Sequence, residues 1–503
     1  MNHKRFLCGT ACALAALGVV LFLQACALPV APGGFGGLAS PTGDFGATQG
    51  GVQDMGLARQ LIASDRVPPP DAFVVEGMFS EHDLPLTGAQ CQRVLCLRDA
   101  IGVAPDEDGL PAGWMQIGLS STIDMDTFVR PTLTLIATVD VSGSMGWEYA
   151  TEQSEYPTAG QVSRNLLSAI AAKLTTADRI AIVTYGTDVH TVLDLTAGDQ
   201  QVTIQAAVDA LSTGGVTDME SGLRRAYEIA YGADTTTEQV RVMLFTDIQP
   251  NVGATTATEF EQIVEAGAAE NVGITVMGVG VGLQQELMNA MSHVRGGNAF
   301  SLFDNQDVTD LMDDDWPWLV SPIAYDMAME VTPSEGFAVT NAYGFPSGDG
   351  ETALDVSTVF LSRRKGALLI QLAPTDGSDL TGMQIAADLS YQTPAGEAVT
   401  ENIQVAYDGQ ELDERGQYFE QSSVGKAVAL ALLVTGMKEA AEQYAQAPET
   451  AIETLTAALA RFTADAADLN DEAISAEITL ATDLLQLMQD GAEQGDLYGY
   501  GYF

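Results

Sequence analysis

Segments typical of buried strands and of helices alternate between Thr132 and Leu319. Runs of β-branched and aliphatic residues are each followed by a segment whose apolar residues recur at helical spacing, apart from one pair of successive strands. Parallel strands need crossover connections of this kind, and the helices then cover both faces of the sheet. The pattern therefore predicts an α/β fold with a doubly wound, mostly parallel sheet. The predicted strands are 132–140, 179–186, 191–195, 239–247, 273–282 and 299–303, and the predicted helices are 161–174, 200–211, 219–231, 257–271, 284–294 and 307–319.

Two of these strands end in an acidic residue. One ends at Asp140, which is followed by Ser142 and Ser144, and a later strand ends at Asp247. Ligands bind at the carboxyl ends of the strands in folds of this class. Carboxylate and hydroxyl oxygens are hard ligands, which suit Mg²⁺ or Mn²⁺. The sequence therefore predicts a cation site at this edge of the sheet.

The stretch 140–144, Asp-Val-Ser-Gly-Ser, resembles the Asp-x-Ser-x-Ser motif of the metal-ion-dependent adhesion site in the von Willebrand factor type A family. The resemblance implies a third hydroxyl from a Gly-rich loop, which Thr217 matches, and a second carboxylate from a later strand, which Asp247 matches. Asp218 is a departure, because an asparagine is more usual at that position. The implied ligands of Mg²⁺ (or Mn²⁺ or Ca²⁺) are Asp140, Ser142, Ser144, Thr217 and Asp247.

The resemblance also implies how such a site works. Ser142, Ser144 and Thr217 would hold the metal, while Asp140 and Asp247 would act largely through bound water. Few direct charges leave the cation electrophilic, with one coordination position open. The expected occupant of that position is an Asp or Glu on a partner protein, so the expected function is adhesion through protein binding.

A long segment, 146–157, lies between the Asp-x-Ser-x-Ser motif (140–144) and the first predicted helix. It carries the aromatic residues Trp147, Tyr149 and Tyr156, and aromatic side chains are favoured as interface anchors. Our hypothesis is that these three residues, together with Asp218, form the partner-facing rim of the site. The alternative is an ordinary surface loop that packs on itself.

The first residues carry the features of a lipoprotein signal. Two basic residues precede the apolar stretch 6–23, and Leu-Gln-Ala-Cys follows with Cys26 at its end. This pattern predicts cleavage before Cys26 and its lipidation, with an uncleaved membrane anchor as the alternative. Both place a membrane-anchored protein in the cell envelope, facing the periplasm or the cell exterior. Ala27 and Leu28 are not an aspartate retention signal, which favours the outer membrane.

Composition and periodicity also divide the rest of the chain. Beyond Pro322, short β-like segments predict a β-rich module, in which 362–366 is expected to be a hairpin turn. From Ser423 onward three segments with helical spacing predict a helical domain. The N-terminal segment 57–129 and the C-terminal helix 425–437 together look like the flanking regions of bacterial lipoproteins with a central von Willebrand type A domain. The resemblance implies that these two flanks pack together around the central domain. The expected organisation is a signal peptide (1–26), a flexible Gly/Pro-rich linker (27–55), an N-terminal flank (56–129), the von Willebrand type A domain (130–320), the β-rich module (321–412), the helical domain (413–495) and an aromatic tail (496–503).

The charge balance excludes one class of partner. The chain has 68 acidic and 21 basic residues, for a net charge of −47. Such a surface repels nucleic acid, so nucleic-acid binding is excluded. Solubility in salty or alkaline surroundings accounts for the excess of acidic residues.

Two cysteines of the expected folded part are candidates for a disulfide bond. Of five cysteines, only Cys91 and Cys96 fall in the expected folded part. Their spacing allows a small disulfide-closed loop in an exported protein. A zinc site is the alternative, and it would need two further ligands.

Enzymatic motifs are incomplete in this chain. Ser423 and Lys426 have the Ser-x-x-Lys spacing of some acyl-transferring hydrolases, but the other elements of those enzymes do not accompany them. The glycines of 278–282 lack the third glycine of a dinucleotide-binding fingerprint. We therefore expect a binding protein and no enzyme. The alternatives are an envelope assembly scaffold or chaperone-like factor acting through its flanks and, second, an enzyme acting on envelope material.

Overall fold

The computed structural model describes residues 44–89, 91–124, 127–149, 158–345, 353–377, 379–467, 469 and 471–495. The predicted signal peptide with Cys26, the rim residue Tyr156 and the aromatic tail 496–503 lie outside the described residues. The strands are β1 (Asp44–Gln49), β2 (Gly51–Val52), β3 (Leu95–Pro105), β4 (Pro111–Asp124), β5 (Leu133–Asp140), β6 (Arg179–Tyr185), β7 (His190–Ala197), β8 (Gln239–Thr246), β9 (Gly273–Val279), β10 (Gly297–Leu302), β11 (Pro322–Pro333), β12 (Phe337–Tyr343), β13 (Ala353–Ser362), β14 (Ala367–Pro374), β15 (Met383–Gln392), β16 (Ala398–Tyr407) and β17 (Tyr418–Phe419). The helices are α1 (Gly56–Ala63), α2 (Val75–Glu81), α3 (Ala159–Lys173), α4 (Gln201–Asp209), α5 (Met219–Ala230), α6 (Ala257–Ala269), α7 (Gln285–Ser292), α8 (Asn305–Asp310), α9 (Trp316–Leu319), α10 (Ser422–Tyr444), α11 (Pro448–Ala466) and α12 (Glu472–Asp490).

The central sheet confirms the predicted α/β fold. Its seven strands lie in the order β2-β10-β9-β8-β5-β6-β7, and only the pairing of β6 with β7 is antiparallel. The interior strand β5 is buried along its whole length, as expected for a β-branched and aliphatic run covered on both faces. Since β5 pairs with β8, the ends of the strands that carry Asp140 and Asp247 are neighbours in the sheet.

Helices that begin at defined caps surround this sheet. Thr158 caps α3 by accepting a hydrogen bond from the backbone N–H of Gln161, and Asp218 caps α5 in the same way. Thr256 and Glu259 form a capping box at the start of α6. Each cap satisfies backbone donors in the first turn of its helix.

A second sheet has ten strands, and every pairing in its described part is antiparallel. It draws strands from three places in the chain: β1, the hairpin of β3 and β4, and β11 to β17. The β-rich module expected at 321–412 is therefore incomplete by itself. β13 bonds β1 on one side and β11 on the other, so a strand from far upstream completes the sheet.

The linker expected at 27–55 is wrong for residues 44–55. β1 lies between β4 and β13 in the second sheet, and β2 extends the central sheet beside β10. The carboxylate of Asp54 then accepts hydrogen bonds from the backbone N–H groups of Ser301 and Gly56. Most of these bonds are made by the main chain, which explains why a Gly-rich composition did not reveal them.

The hairpin turn expected at 362–366 is also wrong. β13 and β14 are not neighbours, because β1 and β4 lie between them. The connecting segment instead bonds to the N-terminal part of the chain: Lys365 N donates to Asp83 Oδ1 at 2.8 Å, and Gly366 N donates to Ala47 O at 2.9 Å.

The two flanks pack together, as the resemblance implied. Arg59 of α1 bonds Glu477 of α12 at 2.9 Å and also pairs with Glu81 at the end of α2. His82 Nε2 lies 3.2 Å from the same Glu477 carboxylate. We call Arg59, Glu81, His82 and Glu477 the flank seam. Among the described helices, none combines the length and the apolar character that crossing a membrane requires.

Candidate functional site

Three loops meet at the carboxyl edge of the central sheet. The first loop (141–147) follows β5, the second (212–218) precedes α5, and the third (247–254) follows β8. All five predicted ligands lie on these loops or at the strand end that begins the first one. The structure therefore brings together Asp140, Ser142, Ser144, Thr217 and Asp247.

Backbone hydrogen bonds hold the first loop against the second. Gly214 N donates to Val141 O at 2.7 Å, and Gly143 N donates to Gly215 O at 3.0 Å. Gly215 has a φ of +93°, and a Cβ there would lie 2.2 Å from Thr187 Oγ1. Because an L side chain is strained at this φ and has no space, the second loop requires glycine at this position.

The third loop is bonded to the second around Thr217. Thr217 N donates to Asn251 Oδ1 at 2.9 Å, while Thr217 O accepts from the backbone N–H groups of Asn251 and Val252. The third loop also turns through Ile248, whose φ of 55° is unusual for a β-branched residue. Backbone strain of this kind is concentrated at functional sites.

Asp140 organises the first loop. Its side chain is 1% exposed, and Oδ1 accepts a hydrogen bond from Ser142 N at 2.8 Å. Oδ2 accepts one from Thr246 Oγ1 at 3.1 Å. The hydroxyls of Ser142 and Ser144 lie 3.1 Å apart. Two hydroxyls and a carboxylate thus converge on one strand end.

Asp247 has few partners for a buried carboxylate, and the Ser144 hydroxyl and the Gln249 backbone only partly offset the effect of burial on its pKa. It is fully buried, and neither of its oxygens accepts a hydrogen bond of standard geometry from the described residues. Burial raises the pKa of Asp247 to about 7, and the nearby charge of Asp140 adds to this effect. Burial also raises the pKa of Asp140. Two carboxylates are therefore buried together with an unmet demand for positive charge.

A divalent cation fits this donor set. Two carboxylates and three hydroxyls are oxygen ligands of the kind that Mg²⁺, Mn²⁺ and Ca²⁺ prefer. In the part of the chain that the structure describes, no group of three or more His, Cys, Asp or Glu side chains is placed to hold a metal. A cation at this site would therefore depend on the hydroxyls of Ser142, Ser144 and Thr217 for its remaining ligands.

The proposed aromatic rim needs correction. Trp147 is 46% exposed, as expected, but Tyr149 is only 8% exposed and its hydroxyl donates to Phe303 O at 2.7 Å. Tyr149 therefore packs in the interior, because its hydroxyl finds a buried backbone acceptor. Asp218 is partly buried and caps α5 through a hydrogen bond from Ser221 N at 3.1 Å.

Two residues that support the site were not predicted from the sequence. Thr246 donates its hydroxyl hydrogen bond to Asp140 and accepts one from Ile248 N, so it joins the two acidic strand ends. Asn251 fixes the backbone of Thr217. The position of Thr246 directly before Asp247 was a usable signal, whereas nothing in the sequence marked Asn251.

The predicted disulfide is present in the structure. Cys91 and Cys96 are bonded, with their Cα atoms 5.8 Å apart, at the start of β3. This bond belongs to the second sheet and contributes nothing to the three loops.

Comparisons with known proteins agree with the fold of this part of the chain. Residues 135–249, which include all five predicted ligands, match the von Willebrand factor type A domain family. The uncharacterized protein YfbK of Escherichia coli strain K12 is 27% identical over 250 residues, or 48% of this chain, and the match covers 41% of that relative. The structure of a von Willebrand factor type A protein from Catenulispora acidiphila is 15% identical, with a TM-score of 0.51, and the match covers 82% of this chain and 100% of that one. The chain therefore contains a von Willebrand factor type A domain.

Proposed function

We propose that the protein binds another protein through a divalent cation at the carboxyl edge of its central sheet. A von Willebrand type A domain supports a protein-interaction or adhesion-type role at the general level. The observation that carries the more specific proposal is Asp247, a buried carboxylate beside Asp140 whose oxygens accept no standard hydrogen bond from the described residues.

The proposed mechanism follows from the burial of the donors. The five side chains are between 0% and 8% exposed, so they lie below the protein surface. Ser142, Ser144 and Thr217 would hold the cation, while Asp140 and Asp247 would balance its charge. The cation supplies a Lewis-acidic position that a partner's Asp or Glu carboxylate fills. We assign this site to binding and not to catalysis.

We further propose that lipidated Cys26 tethers the protein in the cell envelope, in the outer membrane. The lipobox pattern around Cys26 supports this proposal. Labelling cells with an alkyne fatty acid should tag the wild-type protein and leave Cys26→Ser untagged. Equal labelling of both proteins would contradict the tether.

A cross-linking pull-down from envelope extract tests the metal bridge. The three arms are wild type in Mg²⁺, wild type in chelator, and Asp140→Ala in Mg²⁺. We expect a partner that is recovered only in the first arm. The control is Asp199→Ala. Asp199 is exposed and follows the end of β7, where Ala197 pairs with Arg179 at the beginning of β6, so it lies at the edge of the sheet opposite the cation site. Identical partners in all arms would contradict the proposal.

A further inference from the structure

Each of the three loops exposes one large apolar side chain beside the cation site. Trp147 of the first loop is 46% exposed, Val216 of the second is 41% exposed, and Val252 of the third is 40% exposed. Single exposed apolar residues are common on protein surfaces, but a cluster around a polar site is typical of an interaction surface. We call Trp147, Val216 and Val252 the apolar rim.

Backbone contacts place the apolar rim close to the ligands. Trp147 N donates to Ser144 O at 2.9 Å, so Trp147 lies one turn after Ser144 at the end of the first loop. Val216 precedes Thr217 in the chain, and Val252 N donates to Thr217 O at 3.2 Å. Each residue of the apolar rim is thus joined to a predicted ligand through the main chain. Trp147 and Val252 are joined by a hydrogen bond, and Val216 by the peptide bond to Thr217.

The recessed ligands determine how a partner can approach. Because the donor side chains are almost fully buried, an incoming carboxylate has to enter between the exposed loops. The residues on either side of that carboxylate then meet the apolar rim. Burial of apolar surface on both molecules would stabilise the complex in addition to the metal bond.

The surrounding charge limits which partners fit. Glu148, next to Trp147, is exposed, and Asp218, next to Thr217, is partly exposed. The whole chain has a net charge of −47. A second acidic residue on the partner would face these carboxylates without a cation of its own, and like charges repel.

We propose that the apolar rim selects a protein segment in which one Asp or Glu is flanked by apolar side chains. This inference rests on the proposed metal-bridged function and adds the chemistry of the partner. The metal captures the carboxylate, and the rim distinguishes its neighbours.

Defined cyclic peptides test this selection with the full chain. The peptides share one scaffold and differ at three positions: Leu-Asp-Leu, Ser-Asp-Ser, Asp-Asp-Asp and Leu-Asn-Leu. Affinity is measured by fluorescence polarisation in Mg²⁺ and in chelator, and Mg²⁺ binding is measured separately by calorimetry. We expect Leu-Asp-Leu to bind about tenfold more tightly than Ser-Asp-Ser, with Asp-Asp-Asp weaker still.

A rim variant and a matched control complete the test. The rim variant combines Trp147→Ala, Val216→Ser and Val252→Ser. The control is Val202→Ser, since Val202 is 87% exposed on α4, beyond the opposite edge of the sheet. The rim variant should keep Mg²⁺ binding and lose the preference for Leu-Asp-Leu, whereas the control should retain both.

The outcomes separate this inference from the proposed function. Equal affinities for Leu-Asp-Leu and Ser-Asp-Ser, a preference that survives in the rim variant, or no peptide binding to the Mg²⁺-loaded protein would overturn the selection by the rim. Failure of Mg²⁺ to bind, or equal binding of Leu-Asn-Leu and Leu-Asp-Leu, would overturn the metal bridge itself.

Discussion

The flank seam and the cation site both bury carboxylates, but only the seam supplies their counter-charges. In the seam, burial would raise the pKa of Glu477, yet Arg59 and His82 outweigh it and lower that pKa to about 2. At the cation site, burial raises the pKa of Asp247 to about 7, and Asp140 raises it further. In the flank seam the buried negative charge of Glu477 is balanced by Arg59 and His82, as in a structural contact. The site leaves a charge unmatched, as a binding site for a cation requires.

The largest expected effect comes from breaking the seam. Glu477→Gln removes the carboxylate that faces both Arg59 and His82 and leaves Glu81 as the remaining partner of Arg59. We expect a loss of about 3 kcal/mol in the free energy of unfolding. Thermal and denaturant unfolding measure this loss. Glu453→Gln on the exposed face of α11 is the control and should change little. Equal losses in both variants would show that the seam does not stabilise the fold.

The seam also predicts a dependence on pH. The folded-state pKa of Glu477 lies near 2, below its ordinary value of 4.5. Its contribution to stability is therefore complete above pH 4.5 and is lost as the pH falls through about 2. The unfolding midpoints of wild type and Glu477→Gln should converge over this range. A constant difference between pH 5 and pH 2 would contradict the assignment.

Metal should stabilise the cation site and leave the seam unaffected. At a free Mg²⁺ concentration 100 times its Kd, wild type should gain about 2.7 kcal/mol in the free energy of unfolding. Asp247→Asn should lose this gain, while Glu477→Gln should retain it. In chelator, Asp247→Asn should be at least as stable as wild type, because the variant buries one charge less. A Mg²⁺ gain that persists in Asp247→Asn would place the metal elsewhere.

The smallest effect concerns the departure at Asp218. Asp218→Asn keeps a side-chain oxygen that can cap α5 and removes one negative charge beside Thr217. We expect the affinity for Mg²⁺ to fall by less than about threefold, since a partly exposed charge acts through water. Calorimetric titration measures the change. A loss as large as that of Asp247→Asn would make Asp218 a ligand.

Local periodicity was sufficient to predict the central sheet. The predicted bounds of β5 and β8 differ from the observed ones by one residue each, because both strands are continuous buried runs. Parallel order then placed Asp140 and Asp247 at one edge. Ser142 and Ser144 follow Asp140 directly and were predicted with it, whereas Thr217 came only from resemblance to a family motif.

Contacts between distant parts of the chain were beyond such reasoning. β1 pairs with β4 and β13, which lie far downstream, and no local pattern records such a pairing. The sequence predicted Tyr149 as an exposed aromatic residue, but its hydroxyl donates a hydrogen bond to Phe303 O and the side chain is buried. In both cases the structure depends on a hydrogen bond to a main-chain group that is far away in sequence. Sequence patterns describe side chains and therefore do not reveal such a bond.

The short strand β2 has a practical consequence for solubility. It pairs Gly51 and Val52 with Asn298 and Ala299, and so covers part of the outer edge of β10. A fragment cut at residues 130 and 320 would lose this cover and leave the main-chain donors and acceptors of β10 open. Open edges of this kind recruit other strands and promote aggregation. The stretch around residue 51 therefore helps to keep the central α/β domain soluble, although that domain begins about eighty residues later in the chain.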